Sequence, residues 1–309
     1  MRAFLKIIRF KNILLLALMQ ITFHFGFLKL QNIALALNDW QFILLVFSTI
    51  CIAGAGYLIN NVFDQETDQI NKPNDVVVGK NMSETTAYNL YIILNVLGVG
   101  TGFYLSNSIG KPSFAALFIV IAATLYLYAS SLKQSLLVGN ILIALLAAIS
   151  VIIVGLFDLY PTITVENKPV VATYFEIILD YAFFAFLINF IRELVKDLED
   201  VKGDYNTGMA TLPIILGVKR TSKLVFGLSL IPIIILFYYI NNYYFNNKLY
   251  FATLYAYILI VAPLLYFSIK MWTSKSQKEF HHLSTVLKIV LFFGILSILV
   301  ITLNIKYNA

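Results

Sequence analysis

The sequence predicts an all-α, multi-pass integral membrane protein, on three observations. Of its 309 residues 60% are hydrophobic and only 12% charged, with a mean hydropathy of +0.83; a soluble domain of that length needs far more polar surface. The apolar residues gather into stretches long enough to cross a bilayer, which takes about 20 mostly apolar residues per helix. The basic residues fall at the ends of those stretches, the arrangement that sets membrane topology. The formal charge of +6 is therefore no sign of a nucleic-acid partner. A single cysteine, Cys51, in an apolar run excludes an intrachain disulfide and argues against a thiolate metal site.

The first 12 residues, MRAFLKIIRFKN, are basic and precede an apolar stretch with no clear small-residue cleavage site. They read as the start of an uncleaved first span. In order, the predicted spans are 13–37, 41–63, 84–106, 113–130, 135–157, 172–196, 221–241, 249–270 and 283–305, with His24, Lys29 and Gln31 interrupting the first. With the N-terminus cytoplasmic, 16 of the 22 Lys and Arg lie inside and 5 outside, Lys288 falling within the last span. The positive-inside rule then places the loops after the even-numbered spans in the cytoplasm and the C-terminus outside. Residues 1–309 are expected to form one membrane-embedded domain.

The acids are placed unevenly. Of 16 Asp and Glu, five lie between 64 and 84 (Asp64, Glu66, Asp68, Asp75, Glu84) and five between 193 and 204 (Glu193, Asp197, Glu199, Asp200, Asp204). Both windows fall at predicted cytoplasmic ends of spans. Asn60, Asp64 and Asp68 are four residues apart, so on a helix they share one face with a drift of about 40° per step. Asn189, Glu193 and Asp197 repeat the spacing about 130 residues later, a weak hint of two related halves. Carboxylates along one face repel one another unless a cation sits between them, and ionisable groups at span ends usually face a cavity or partner. Mg2+, a hard ion that takes a few carboxylates, waters and substrate phosphates, is the natural cation, and two facing acidic helix ends could hold such ions against a diphosphate.

These motifs resemble those of a known family. Residues 60–68, NNVFDQETD, followed by INKP, are similar to the first aspartate motif of the UbiA-type intramembrane prenyltransferases; RELVKDLEDVKGD (192–204), followed by TGMATLPIILG, is similar to the second; and YASSLKQSLLVGN (128–140) resembles the cytoplasmic stretch between spans four and five. The resemblance covers nearly the whole chain. It implies nine helices around a central, lipid-accessible cavity with a cytoplasmic cap, and Mg2+-dependent transfer of a prenyl group from a prenyl diphosphate donor to a lipophilic acceptor within the lipid bilayer. By motif position it implies Asn60, Asp64, Asp68, Asp197, Asp200 and Asp204 as metal and diphosphate ligands, although Glu193 also fits the second spacing. Of the cations nearest these motifs, Lys133 has the best motif match as a group acting on the departing diphosphate, with Lys72, Lys80 and Arg192 as further substrate contacts. Tyr128 is the aromatic singled out by position, and Arg9 and Asn12 correspond to the first-helix groups that approach the acceptor. Many members continue Lys72-Pro73 with Arg-Pro, whereas this chain has Asn74-Asp75; if that arginine contacts diphosphate, Lys80 or another cation must replace it.

Acceptors divide the family. INKP and RELVKDLEDVKGD most resemble the branch that moves geranylgeranyl to geranylgeranylglyceryl phosphate, with an aromatic acceptor, as in menaquinone synthesis, as runner-up. An ether-forming enzyme needs additional cations for the acceptor's phosphate. A cation-coupled transporter is the alternative of another class, but it predicts ionisable groups at mid-membrane, where only Glu176, Asp180 and Lys288 stand out. A diphosphate hydrolase is a third possibility. Among smaller signals, His24 is expected to face the bundle and His281-His282 to form a loop pair without metal-ligand spacing. Gly54, Gly56, Gly98, Gly100 and Gly102 are read as close helix packing, and Pro213 and Gly217 as shaping the loop over the cavity.

Overall fold

A computed structural model describes residues 2–74 and 76–308; Asp75, counted in the first acidic window, lies outside the described residues. These residues form helices and connections, with only an isolated bridge between Val78 and Met82. A short helix α1 (Arg2–Ile7) precedes α2 (Phe10–Gly26), α3 (Asp39–Phe63), α4 (Gln65–Asn71), α5 (Glu84–Ser108), α6 (Ala115–Ser130), α7 (Val138–Asp158), α8 (Lys168–Asn206), α9 (Leu212–Leu216), α10 (Val218–Tyr239), α11 (Tyr250–Ala256), α12 (Ala262–Thr273) and α13 (Gln277–Asn308). Nine of the helical segments among the described residues are long and apolar enough to span a bilayer, with α11 and α12 joined through a π-helical turn into one.

Local chemistry fixes several boundaries. Asn38 starts α3 with a reciprocal capping box, accepting from Gln41 N at 2.9 Å while its own N–H donates to Gln41 Oε1 at 3.0 Å. Ser83 caps α5 by accepting from Thr86 N at 3.2 Å. Gly98 and Gly102 let α5 lie against α3 and α6: a Cβ there would come within 2.6 Å of Ile52 and 2.3 Å of Phe118. Gly100, on another face, has nothing within 4 Å, so the packing argument does not extend to it.

The first span differs from expectation. Its helix ends at Gly26, a 3₁₀ turn follows at Leu28–Gln31, and Asn32 is left-handed at φ 54. Residues 33–37, apolar enough to extend the hydropathy signal, form a connection whose Ile33, Leu35 and Leu37 pack into the core instead of continuing the helix. Apolarity there reports burial against protein, which hydropathy does not distinguish from a span. At the same end, His24 Nδ1 and Asp158 Oδ2 lie 2.7 Å apart, both side chains fully buried, with His24 stacked 3.8 Å from Phe42. His24 therefore does face the bundle.

The other end carries both acidic windows. Lys6 Nζ donates to Asn74 O at 2.7 Å, Ala210 N to Gln134 O at 3.0 Å, and Gln277 Nε2 to Asn71 O at 3.3 Å. The N-terminal helix and the connections after the even-numbered spans thus gather at one end. Helix α8 has 39 residues, about 58 Å at the standard rise, against a hydrocarbon core about 30 Å thick. Its acidic last turns therefore extend past the span into this end.

Candidate active site

A cavity of about 990 Å³ opens inside the bundle. Asn60, Asp64, Asp68, Lys72, Tyr128, Lys133, Arg192, Asp197, Asp200, Asp204, Arg9 and Asn12 all line it. Lys80 does not. Its Nζ donates to Pro73 O at 2.8 Å in the connection after α4, so this lysine is not brought to the site in place of the arginine that many relatives carry.

The first motif keeps its face although α3 formally ends at Phe63. Asp64 has φ −91 and ψ 4, yet the i→i−4 ladder continues from Asp64 N to Asn60 O, Asp68 N to Asp64 O and Lys72 N to Asp68 O, at 2.9, 2.8 and 2.8 Å. The residues four apart are thus the ones the ladder joins. Asn60 Nδ2 donates to Asp64 Oδ2, and Lys133 Nζ pairs with Asp64 Oδ1. The lysine arrives on the turn between α6 and α7, where Leu137 is left-handed at φ 61. Gly139 allows that turn to close, since a Cβ there would lie 2.9 Å from Lys133 Cα and 3.2 Å from Tyr128 Cε2.

The two motifs are joined directly. Lys72 Nζ lies 2.7 Å from Asp200 Oδ1 and 3.2 Å from Glu199 Oε1. Asn71 clamps α4 onto α8, its Nδ2 donating to Asp200 O at 2.9 Å and its Oδ1 accepting from Gly203 N at 2.8 Å. In the second motif Asn140 Nδ2 donates to Asp197 Oδ2 at 2.9 Å. Glu193, which matched the spacing of the first motif, is taken by Lys196 at 2.7 Å. His281 and His282 stand in the first turns of α13, not in a loop; they bond Glu199 at 3.0 Å and Tyr266 at 3.0 Å.

The carboxylates fall into two sets. Asp64, Glu193, Glu199 and Asp200 each have a Lys, Arg or His within ion-pair distance. Asp68, Asp197 and Asp204 line the cavity with no such partner among the described residues. Burial, aided by the charges of Asp64 and Asp200, pushes the Asp68 carboxyl up to about 6. At Lys72 burial opposes the charge, but Asp200 and Glu199 outweigh it and hold the ammonium above its ordinary range. The Oδ1 of Asn60 is a buried acceptor without a donor. Among the described residues no three carboxylate, imidazole or thiol groups converge into a ready-made metal cage. This oxygen-only donor set fits Mg2+, which takes one or two carboxylates and completes its shell from water and substrate phosphate.

The sequence model of the UbiA prenyltransferase family matches residues 21–301. The chain belongs to this family. Digeranylgeranylglyceryl phosphate synthase of Thermococcus gammatolerans is 30% identical over 304 residues, covering 98% of this chain and 99% of that one. Among solved structures, the apo form of a UbiA homolog from Aeropyrum pernix K1 superposes with a TM-score of 0.66 at 14% identity, covering 96% of this chain and 98% of that one. A UbiA homolog from Archaeoglobus fulgidus bound to GPP and Mg2+ superposes with a TM-score of 0.59 at 16% identity, covering 96% and 99%. The all-helical UbiA fold is thereby shown, and the chain is a prenyltransferase by family.

Sequence reasoning missed several residues that line this UbiA-type cavity or, like Asn140, bond to a carboxylate that does. Asn71 and Asn140 carry no charge and lie just outside the acidic spacing, although Asn140 ends the quoted YASSLKQSLLVGN stretch. Glu199 points to Lys72 and His281, away from the Asn-x3-acid face. Lys196 gave no signal beyond topology.

Proposed function

We propose that the protein transfers a geranylgeranyl group from its diphosphate to geranylgeranylglyceryl phosphate, forming an ether lipid, with Mg2+ bound between the two acidic motifs. The observation that carries the diphosphate centre is the set of three cavity carboxylates, Asp68, Asp197 and Asp204, that the protein leaves without a cation. The choice of acceptor is supported by full-length similarity to a digeranylgeranylglyceryl phosphate synthase. Asn60, Asp64 and Asp68 would hold the metal from one side, and Asp197, Asp200 and Asp204 from the other. Mg2+ held there would supply positive charge to offset that of the departing diphosphate as the allylic C–O bond breaks.

The chain's own groups do the rest. Lys133 and Lys72, each already seated on a motif carboxylate, present ammonium groups to the diphosphate as its charge develops. Tyr128 lines the same region and offers a ring face to the cationic prenyl carbon. Phe23, Phe118 and Phe184 belong to the apolar wall that would hold the prenyl chain and exclude water, which would otherwise capture the cation. The acidic end is read as cytoplasmic, following the excess of Lys and Arg there, and the tied connections over it as the cap of the cavity.

The test uses purified protein in detergent with Mg2+ and labelled geranylgeranyl diphosphate, offered geranylgeranylglyceryl phosphate or aromatic acids separately. A lipid-ether product that disappears with chelator supports the proposal, as does its absence from Asp64→Ala and Asp200→Ala proteins that remain folded. A product with aromatic acids alone would move the protein to the quinone-precursor branch. No product with any acceptor would sink the function.

A further inference from the structure

A second charged region lies on the cavity wall, formed by α8, α13 and the break between α1 and α2. On α13, His281, Ser284, Thr285 and Lys288 recur at steps of three and four, share one helix face, and all line the cavity. Past Lys288 the same face becomes apolar at Leu291 and Ile295. On α8, Arg192, Glu193 and Lys196 repeat the spacing and line the same cavity. This is a polar stripe on each of two membrane helices, and a span tolerates such groups where they face a partner or a ligand.

Its charge is unbalanced. Lys288 makes no hydrogen bond or ion pair among the described residues, and the charges that bear on it most are Arg192, Arg9, Lys196 and Lys11, all cations. The carboxylate beside Arg192 and Lys196, Glu193, is committed to Lys196 through contacts of 2.7 and 2.9 Å, with Arg192 Nη1 3.7 Å away, and Glu199 is held by Lys72 and His281. Arg192 Nε is buried without an acceptor. The backbone of Arg9 is left-handed at φ 50, a conformation unfavourable for a non-glycine residue, and its guanidinium stands 5.4 Å from the centre of the Tyr57 ring. Arg9 also feels Asp64 and Asp68, so it stands at the border with the acidic motifs. The two regions are thus opposite in character: at the motifs carboxylates exceed cations, and where Arg192, Glu193 and Lys196 of α8 stand with Lys288 of α13 cations exceed carboxylates.

We propose that Lys288, Lys196 and Arg192, with the hydroxyls of Ser284 and Thr285, form a metal-independent seat for the phosphomonoester of the lipid acceptor. The assignment rests on the proposed acceptor being a phosphorylated prenylglycerol. A phosphomonoester brings about −1.5 to −2 charge and three acceptor oxygens, which suit the unpaired ammonium of Lys288 and the hydroxyl of Ser284, with Lys196, bonded to Glu193, and Thr285, whose hydroxyl donates to His281 O at 3.1 Å, beside them. The prenyl diphosphate cannot use the acidic motifs without metal, whereas the acceptor's phosphate can use this wall without one. Donor and acceptor are thereby sorted to different walls of one cavity by charge alone, and a phosphate-free alcohol of equal tail length is disfavoured as acceptor.

The test is calorimetric binding to the full chain in detergent with chelator and no donor. Geranylgeranylglyceryl phosphate should bind at least about tenfold more tightly than geranylgeranylglycerol, one charge-assisted contact being worth that much, and inorganic phosphate should compete. Lys288→Met should abolish the difference between the two lipids, Lys288→Arg should retain it, and the KM for donor diphosphate should be unchanged in both. A Ser284→Ala/Thr285→Ala double variant, which keeps every charge, should narrow the difference. Equal binding of the two lipids to the wild-type protein overturns the seat, as does a Lys288→Met variant that weakens both lipids alike or raises the donor KM instead. Phosphate-dependent binding with no prenyl transfer to any acceptor would leave the seat standing and remove the proposed function; transfer without phosphate-dependent binding would do the reverse.

Discussion

Lys72 Nζ sits 2.7 Å from Asp200 Oδ1 and 3.2 Å from Glu199 Oε1, so the residue that ends the first acidic motif is seated on the second. Both motifs are thereby fixed relative to each other by one ion-paired contact, with Asn71 beside it bonded to the α8 backbone on either side of the same turn. Charge-assisted hydrogen bonds of this kind contribute about 1.5–3 kcal/mol, or about 10- to 100-fold in a rate or affinity. Lys72→Met is expected to lower kcat/KM for the donor by that factor. Combined with Glu199→Gln, which removes the carboxylate 3.2 Å from the same ammonium and is not a proposed metal ligand, it should cost less than the two single changes together. Additive losses in the double-mutant cycle would mean that the two residues act separately.

As a proposed metal ligand, Asp68 is expected to give the reaction a pH dependence. Its carboxyl is raised to about 6, first by burial and then by Asp64 and Asp200. A raised acid keeps its proton longer, so the carboxylate form is complete only above that value and is lost as pH falls through it. Metal and proton compete for the group. Apparent Mg2+ affinity, measured with an unreactive thiolo-diphosphate donor analogue, is expected to fall by about tenfold per unit below about pH 6, and Asp68→Asn should remove that part of the profile. An affinity that stays level from about pH 7.5 to about pH 5 would exclude Asp68 as a ligand.

The fold was legible because a nine-span chain writes each span as an apolar run with basic ends. The misplaced end of the first span, residues 33–37, arose where a connection is buried against protein and so carries the hydropathy of a span. Asn60, Asp64 and Asp68 were legible because a four-residue spacing survives the small break at Asp64. Lys80 was misjudged for the opposite reason: distance along the chain put it near the motif, but its ammonium folds back onto Pro73 O. Glu193 fitted the spacing yet is neutralised by Lys196 three residues on, an i,i+3 pairing that the helix period allows and that competes with the four-residue face. Contacts across elements, such as Asn140 with Asp197 and Asn71 with Gly203, leave no periodic trace at all.

Gly203 tests that junction. A Cβ there would lie 2.3 Å from Asn71 Nδ2, closer than any real contact. Gly203→Ala must displace the Asn71 amide, by swinging its side chain aside or moving α4 from α8, breaking both Asn71 bonds, and overpacking of this kind costs about 1–3 kcal/mol. A lower unfolding temperature in detergent and reduced turnover are expected together. Adding Asn71→Ala removes the obstructing amide, so the pair should recover stability while turnover stays low, since the clamp is still absent. Unchanged turnover in Gly203→Ala would show that the spacing of the motifs is not set here.

The His24–Asp158 pair at the opposite end concerns stability alone. Both side chains are fully buried, 2.7 Å apart, and neither lines the cavity. Asp158→Leu would leave the imidazole without its partner, and removing one member of a buried pair costs about 3–5 kcal/mol. Replacing both, His24→Phe with Asp158→Leu, removes the uncompensated group and keeps the apolar contact with Phe42, so most of that loss should return. Thermal unfolding in detergent is the measurement, with kcat as the control. Because the pair is remote from both acidic motifs, kcat of the folded fraction should match the wild-type protein in each variant. A double variant no more stable than Asp158→Leu would show that the imidazole–carboxylate bond itself holds α2 against α7.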